Sequence, residues 1–336
     1  MKTFRKPLLI VLGVAAALAG LVFTAAFVMV FLGDPEFPAA LKMTPEDMAA
    51  FAARFEQPYP AVKRKFTMRD GTVLASQYFP ALSSGKSSTT VVLIHGVLSS
   101  SFPLNRTSGL LREAASAEVV AIDLRGHGAS GGVPGDVDYI GQYEDDVADV
   151  IAKIRAATPG GRIILAGHSM GGGIALRYAM RDGVPPVDGY LLFAPHLGPK
   201  SPTNRWEKSE TGEAFLQVHI PRILGLALFN SVGFTGFNGL RTLFFNLPKE
   251  MPLRSYSYRA MTGSTPTDHG PALKAVDKPL LVVVSSKDEA FKADQFEAAI
   301  RPYSTGEVVI VEGASHDGVL NEPRTLAAVT RWISRL

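Results

Sequence analysis

A serine placed between a strand and a helix is the feature that most restricts what this chain can fold into. Gly167-His168-Ser169-Met170-Gly171 has the form G-x-S-x-G. The apolar run Ile163–Ala166 precedes it, and Gly172 and Gly173 open a helical pattern after it. A strand that turns sharply into a helix projects the serine Oγ at the end of a sheet, and glycines relieve the crowding of that turn. The pentapeptide alone arises often by chance. In this strand–turn–helix setting it predicts an exposed nucleophile at the carboxyl edge of a sheet.

The surrounding chain repeats the same rhythm. Val62–Met68 and Thr72–Phe79 flank Asp70-Gly71, a hairpin signal. Short apolar strands are expected at Thr90–Ile94, Val119–Leu124, Arg162–Ala166, Gly189–Phe193, Leu280–Ser285 and Val308–Val311. Helices are expected at Asp145–Ala156, Gly172–Met180 and Glu322–Leu336. Short all-apolar strands between amphipathic helices predict an α/β fold: a mainly parallel sheet with helices on both faces. The early hairpin predicts an antiparallel edge. Residues 196–270 break the rhythm with no clear strand, and an insertion of that size reads as a helical cap. Its apolar residues include Phe229, Phe234, Phe237 and Leu243-Phe244-Phe245.

The N-terminus has a different character. Lys2, Arg5 and Lys6 precede a stretch, Leu8 to Leu32, in which Thr24 is the only polar side chain. As a helix it would extend roughly 37 Å at 1.5 Å per residue, enough to cross a hydrocarbon core of about 30 Å. Asp34, Pro35 and Glu36 end it. Residues 1–33 therefore read as a transmembrane anchor, residues 34–59 as a linker and residues 60–336 as the catalytic domain. In the linker, Thr44-Pro45-Glu46-Asp47 reads as a helix start with Met48, Phe51 and Phe55 on its apolar face. Basic residues before the span and acidic ones after it predict a cytoplasmic N-terminus and an extracytoplasmic domain. The alternative is a cleaved signal peptide, because Ala17-Leu18-Ala19 has the small-x-small form of a cleavage site. That would release a secreted or periplasmic protein. The net charge of +3 and the lack of a dense basic stripe give no reason to expect a nucleic-acid partner. The absence of cysteine excludes disulfides, thiolate metal sites and a cysteine nucleophile.

A serine hydroxyl needs a base, and the base needs an acid to fix its tautomer. Of seven histidines, His316 follows the last strand in Gly313-Ala314-Ser315-His316-Asp317. Asp288 follows the strand Leu280–Ser285 and lies between the serine and the histidine in sequence, with Glu289 as its neighbouring alternative. Two backbone N–H groups must receive the oxyanion. Met170 supplies one, and Val97, or in its place Leu98, supplies the other. His196, His219 and His269 fall in or beside the insertion and are expected to make surface or cap hydrogen bonds.

These segments resemble the α/β-hydrolase superfamily, and within it the monoglyceride lipases, lysophospholipases and serine aminopeptidases. Ile94-His95-Gly96, the stretch from Asp123 to Ser130, and Gly167-His168-Ser169-Met170-Gly171 carry the resemblance, which extends over about residues 60–336. It implies the α/β-hydrolase fold, a Ser169–His316–Asp288 triad and hydrolysis through an acyl-enzyme, with no metal or organic cofactor. Asp123, Arg125 and His127 read as builders of a turn near the site. Thioesterases, acyltransferases and peptidases share these motifs, as do some non-catalytic scaffolds. The aromatic insertion and the anchor favour an acyl or lipid-like ester as substrate. Leu98, Phe229, Phe234 and Phe237 are the candidates for contacting it. A peptidase would need carboxylates in the cap, and Glu207, Glu210 and Glu213 are the ones available.

Overall fold

The computed structural model describes residues 5–37, 48–49, 52–82, 89–205 and 215–336. The linker helix start at Thr44–Asp47, with Phe51, lies outside the described residues, as do Glu207, Glu210 and Glu213.

Eight strands form the central sheet: β1 (Val62–Thr67), β2 (Val73–Phe79), β3 (Thr89–Ile94), β4 (Glu118–Ile122), β5 (Arg162–His168), β6 (Gly189–Phe193), and two late strands, Leu280–Ser285 and Glu307–Val311. The order is β1-β2-β4-β3-β5-β6, then Leu280–Ser285, then Glu307–Val311 at the edge. The hairpin β1–β2 is antiparallel, as is the β2–β4 pair, and the remaining pairs are parallel. Gly71 closes the hairpin with φ +84°, a conformation that costs glycine nothing.

Strand β3 is buried along its whole length, which requires covering on both faces. Alternate residues point to opposite sides. Val92, Ile94, Val120, Ile122, Leu165 and Leu192 face one core, and Val91, Leu93, Val119, Ala121, Ile164 and Leu191 face the other. Helices α3 (Gln142–Ala157) and α4 (Met170–Ala179) cover the first core through Val147, Ile151, Ile174 and Leu176. Helix α2 (Asn105–Ala115) and the C-terminal helix Pro323–Ile333 cover the second through Leu111, Val329 and Trp332.

Between β6 and Leu280–Ser285 the chain leaves the sheet. It carries helix α5 (Ile220–Ser231), the short helix α6 (Tyr258–Gly263) and α7 (His269–Ala275). It also builds a three-stranded antiparallel sheet from β7 (Leu216–Val218), β8 (Arg241–Phe245) and β9 (Ser255–Ser257), which the sequence reading did not anticipate. The late core strands are therefore β10 (Leu280–Ser285) and β11 (Glu307–Val311). Helix α1 (Arg5–Val30) lies apart from the central sheet and contacts α5.

Candidate active site

The candidate residues gather where the parallel strands end at their carboxyl edges, the usual place for a site in such sheets. Ser169 follows β5 with φ +53° and ψ −114°, a strained conformation for a residue with a Cβ. Its neighbours hold that turn. Ser169 N–H donates to Phe193 O, and Ser169 O accepts from the amides of Gly172, Gly173 and His196. The flanking glycines leave no room for a side chain. A Cβ on Gly171 would stand 2.4 Å from Ile94 O, and one on Gly167 would stand 2.3 Å from Gly171 O.

His316 follows β11 and Asp288 follows β10. Their contact is direct: His316 Nδ1 lies 2.8 Å from Asp288 Oδ2. Asp288 is buried, and its second oxygen accepts from the amides of Ala290 and Phe291, each at 2.8 Å. Glu289 takes another part, accepting from the His316 backbone N–H at 2.8 Å. Burial opposes a charge on His316. The Asp288 hydrogen bond and charge, with Asp317 and Glu289, outweigh it and hold the imidazole pKa above its ordinary value. The rings of His168 and His316 lie 4.7 Å apart, and an added Cβ on Gly96 would be 3.4 Å from Ser169 Cβ. The elbow, His316 and the 95–98 loop thus share one small volume. No hydrogen bond joins Ser169 Oγ to His316 among the described residues. Such bonds are often long before substrate arrives.

The other histidines of the region are buried and neutral. Burial lowers His95 to about 4, His168 to about 4 and His127 to about 3. His95 Nε2 accepts from Leu124 N–H, so its Nδ1–H donates to Gly96 O. Asp123 accepts from Ser101 N–H and Ala129 N–H, and Arg125 pairs with Asp146 and Asp70. With His127 Nδ1 bonded to Arg125 O, Asp123, Arg125 and His127 brace the turn at residues 123–130.

Sequence reasoning missed Tyr256. It comes from β9 in the insertion, and its hydroxyl oxygen accepts from Leu98 N–H at 2.8 Å while lying 2.8 Å from His127 Nε2. With His127 Nδ1–H donating to Arg125 O, every proton in this chain has one consistent place. The amides expected to receive an oxyanion differ in what already binds them. Leu98, at φ +58°, has its amide occupied. Val97 and Met170 amides have no hydrogen-bond partner among the described residues. Nothing local to Ser255-Tyr256-Ser257 signals this role, since it depends on the insertion folding back over the loop. Tyr256→Phe leaves the half-buried Leu98 amide without an acceptor and the buried His127 Nε2 without a donor, a cost of about 1–3 kcal/mol. The expected result is a kcat reduced by roughly 10-fold or more with little change in KM, measured by steady-state ester hydrolysis.

Of Phe229, Phe234 and Phe237, the expected candidates for substrate contact, Phe229 and Phe237 pack against the N-terminal helix and Phe234 packs on both of them. They stack on one another, on Phe23 and Phe27 of α1 and on Phe31 just past its end. The apolar partner they needed was the N-terminal helix. Of the cap histidines, His196 accepts from Gly198 N–H, and His219 caps α5 and reaches the end of α1. No group of three or more His, Cys, Asp or Glu side chains suited to a metal ion occurs among the described residues.

This geometry agrees with what the chain is similar to. Residues 91–329 match the alpha/beta hydrolase family. A 2-(acetamidomethylene)succinate hydrolase from Mesorhizobium japonicum is 26% identical over 258 residues, covering 72% of this chain and 87% of that one. Esterase PIR7B of rice (Oryza sativa subsp. japonica) is 36% identical over 92 residues, which is 26% of this chain and only 32% of the relative. Among solved structures, a thermophilic esterase from Thermogutta terrifontis superposes with a TM-score of 0.52 at 21% identity, over 82% of this chain and 99% of that one. A membrane phospholipase A, a bacterial virulence factor, superposes with a TM-score of 0.54 at 20% identity, over 100% of this chain and 99% of that one. The chain belongs to the alpha/beta hydrolase family. It is an enzyme of the carboxylic-ester-hydrolase kind.

Proposed function

We propose that this chain is a membrane-anchored serine esterase that cleaves acyl or lipid-like esters through Ser169, His316 and Asp288. The observation that carries the reading is the 2.8 Å Asp288–His316 contact beside the strained Ser169 turn. His316 Nε2 takes the Ser169 proton as Oγ attacks the acyl carbonyl, and the Val97 and Met170 amides receive the oxyanion. His316 then passes the proton to the leaving alcohol, and water hydrolyses the acyl-enzyme. Residues 1–33 form the anchor, residues 34–59 a linker and residues 60–336 the hydrolase domain, with the cap at about 196–270. Helix α1 has one span, Val11–Val30, long and apolar enough to cross a bilayer, and its flanking charges orient the N-terminus toward the cytoplasm.

The test uses the full chain in detergent. A fluorophosphonate probe should label it, and the label should be absent from Ser169→Ala. A folded parent that takes no label would overturn the nucleophile assignment. For the substrate class, a series of aryl esters should show higher kcat/KM for octanoate than for acetate. The reverse order would sink the lipid-like reading while leaving the triad untouched.

A further inference from the structure

We infer that cap helix α5 is itself immersed in the bilayer, paired with the outer part of α1, so that the cap and the anchor share one lipid layer. This rests on the reading of α1 as a membrane span. The partner of the exposed α5 face is the acyl region of a lipid bilayer.

The register of the two helices carries the inference. Phe229, near the end of α5, stacks on Phe23 with ring centroids 5.7 Å apart. Gly225 is packed so tightly that an added Cβ would stand 2.6 Å from Ala26 O and 2.7 Å from Val30 Cγ2. Arg222, near the start of α5, donates from Nε to Val30 O and from its terminal nitrogens to Leu32 O and Asp34 Oδ1. The two helices therefore run antiparallel, with α5 descending alongside residues 30 to 23 of α1. At 1.5 Å per residue that descent is about 10 Å, out of a hydrocarbon thickness of about 30 Å. If Val11–Val30 spans the bilayer, α5 cannot remain in water.

The composition of α5 suits that place. Its one charged residue, Arg222, is buried and accepted by backbone carbonyls at the end of α1, where the helix dipole also favours a cation. Ile220, Leu224 and Ala227 stand at i, i+4 and i+7 on the face turned away from α1, and all three are exposed. Val232 and Phe234 continue the patch at 62% and 46% exposure. A helix–helix contact through glycine, with apolar side chains outward, is how helices pack where lipid is the solvent. In water the same face would be a large unprotected apolar patch.

The chain has no cysteine, so single-cysteine labelling is clean. Leu224→Cys probes the cap face and Val14→Cys probes the anchor. Ser334→Cys is the control, because neighbouring Trp332 packs on Gly189, where β6 starts, at the sheet end opposite the site. Each full-length variant is labelled with a fluorophore and reconstituted in phosphatidylethanolamine/phosphatidylglycerol vesicles. Some vesicles carry a lipid spin-labelled in mid-chain. The Val14 and Leu224 labels should each lose most of their emission to the spin label, and the Ser334 label should lose none. Quenching at Val14 with none at Leu224 would overturn the inference and leave the anchor standing. No quenching at Val14 would mean that the anchor reading itself had failed. Quenching at Leu224 alone would describe a peripherally docked cap and overturn the shared layer.

Discussion

Ser169→Ala is expected to lower ester turnover by roughly 10⁴–10⁶-fold, because nucleophile and base act as a unit and neither works alone. The fold should survive the change. Ser169 holds its turn through backbone atoms, with N–H to Phe193 O and its carbonyl to three amides, and alanine keeps all of these. The φ of +53° burdens alanine and serine alike. The variant should therefore melt close to the parent and still bind a substrate analogue, with only kcat collapsing. Steady-state kinetics on an aryl ester, paired with a melting curve, checks both halves. A folded variant retaining a tenth of parental turnover would remove Ser169 from the chemistry.

The elbow was legible in the sequence because its determinants are local. Five residues, a strand before them and glycines after them specify the turn without reference to distant chain. The base and acid candidates were legible for a related reason: a residue just past a parallel strand is carried to the carboxyl edge whatever the loops do. Other parts were hidden. Helix α2 escaped notice because it has no side-chain N-cap at Leu104 and ends on Ser116 in the left-handed region rather than on glycine. The cap sheet escaped because β7 and β9 are three residues each, too short for alternation to register. The packing of the aromatic cap on α1 was hidden as well. That contact joins Phe23 to Phe229 and Val30 to Arg222, and no periodicity within either segment announces it. Tyr256 was invisible for the same reason, since its partners Leu98 and His127 lie far away in the chain.

Asp288→Asn tests the role of the acid with a change of one atom, and its outcome follows from the hydrogen bonds already in place. Asp288 Oδ1 accepts from two backbone amides, at Ala290 and Phe291. An asparagine here must place its carbonyl oxygen there, because an NH₂ group facing two N–H donors would leave all of them buried and unpaired. The NH₂ is then forced into the Oδ2 position, 2.8 Å from His316 Nδ1. It donates to Nδ1, which fixes the imidazole with its proton on Nε2. That nitrogen can no longer accept from Ser169. Loss of about 10⁴-fold in kcat is expected, the size seen when a triad acid is amidated elsewhere. The pH profile should move as well. In the parent, activity needs neutral His316, whose pKa is held above the ordinary 6.5, so activity rises with pH through that higher value. Removing the carboxylate removes the leading cause of the upward shift while burial still disfavours the cation. The acid limb of the residual kcat/KM should therefore shift to lower pH in Asp288→Asn. A variant that loses activity yet keeps its acid limb in place would show that His316 owes its pKa, and its orientation, to Asp317 or Glu289 instead.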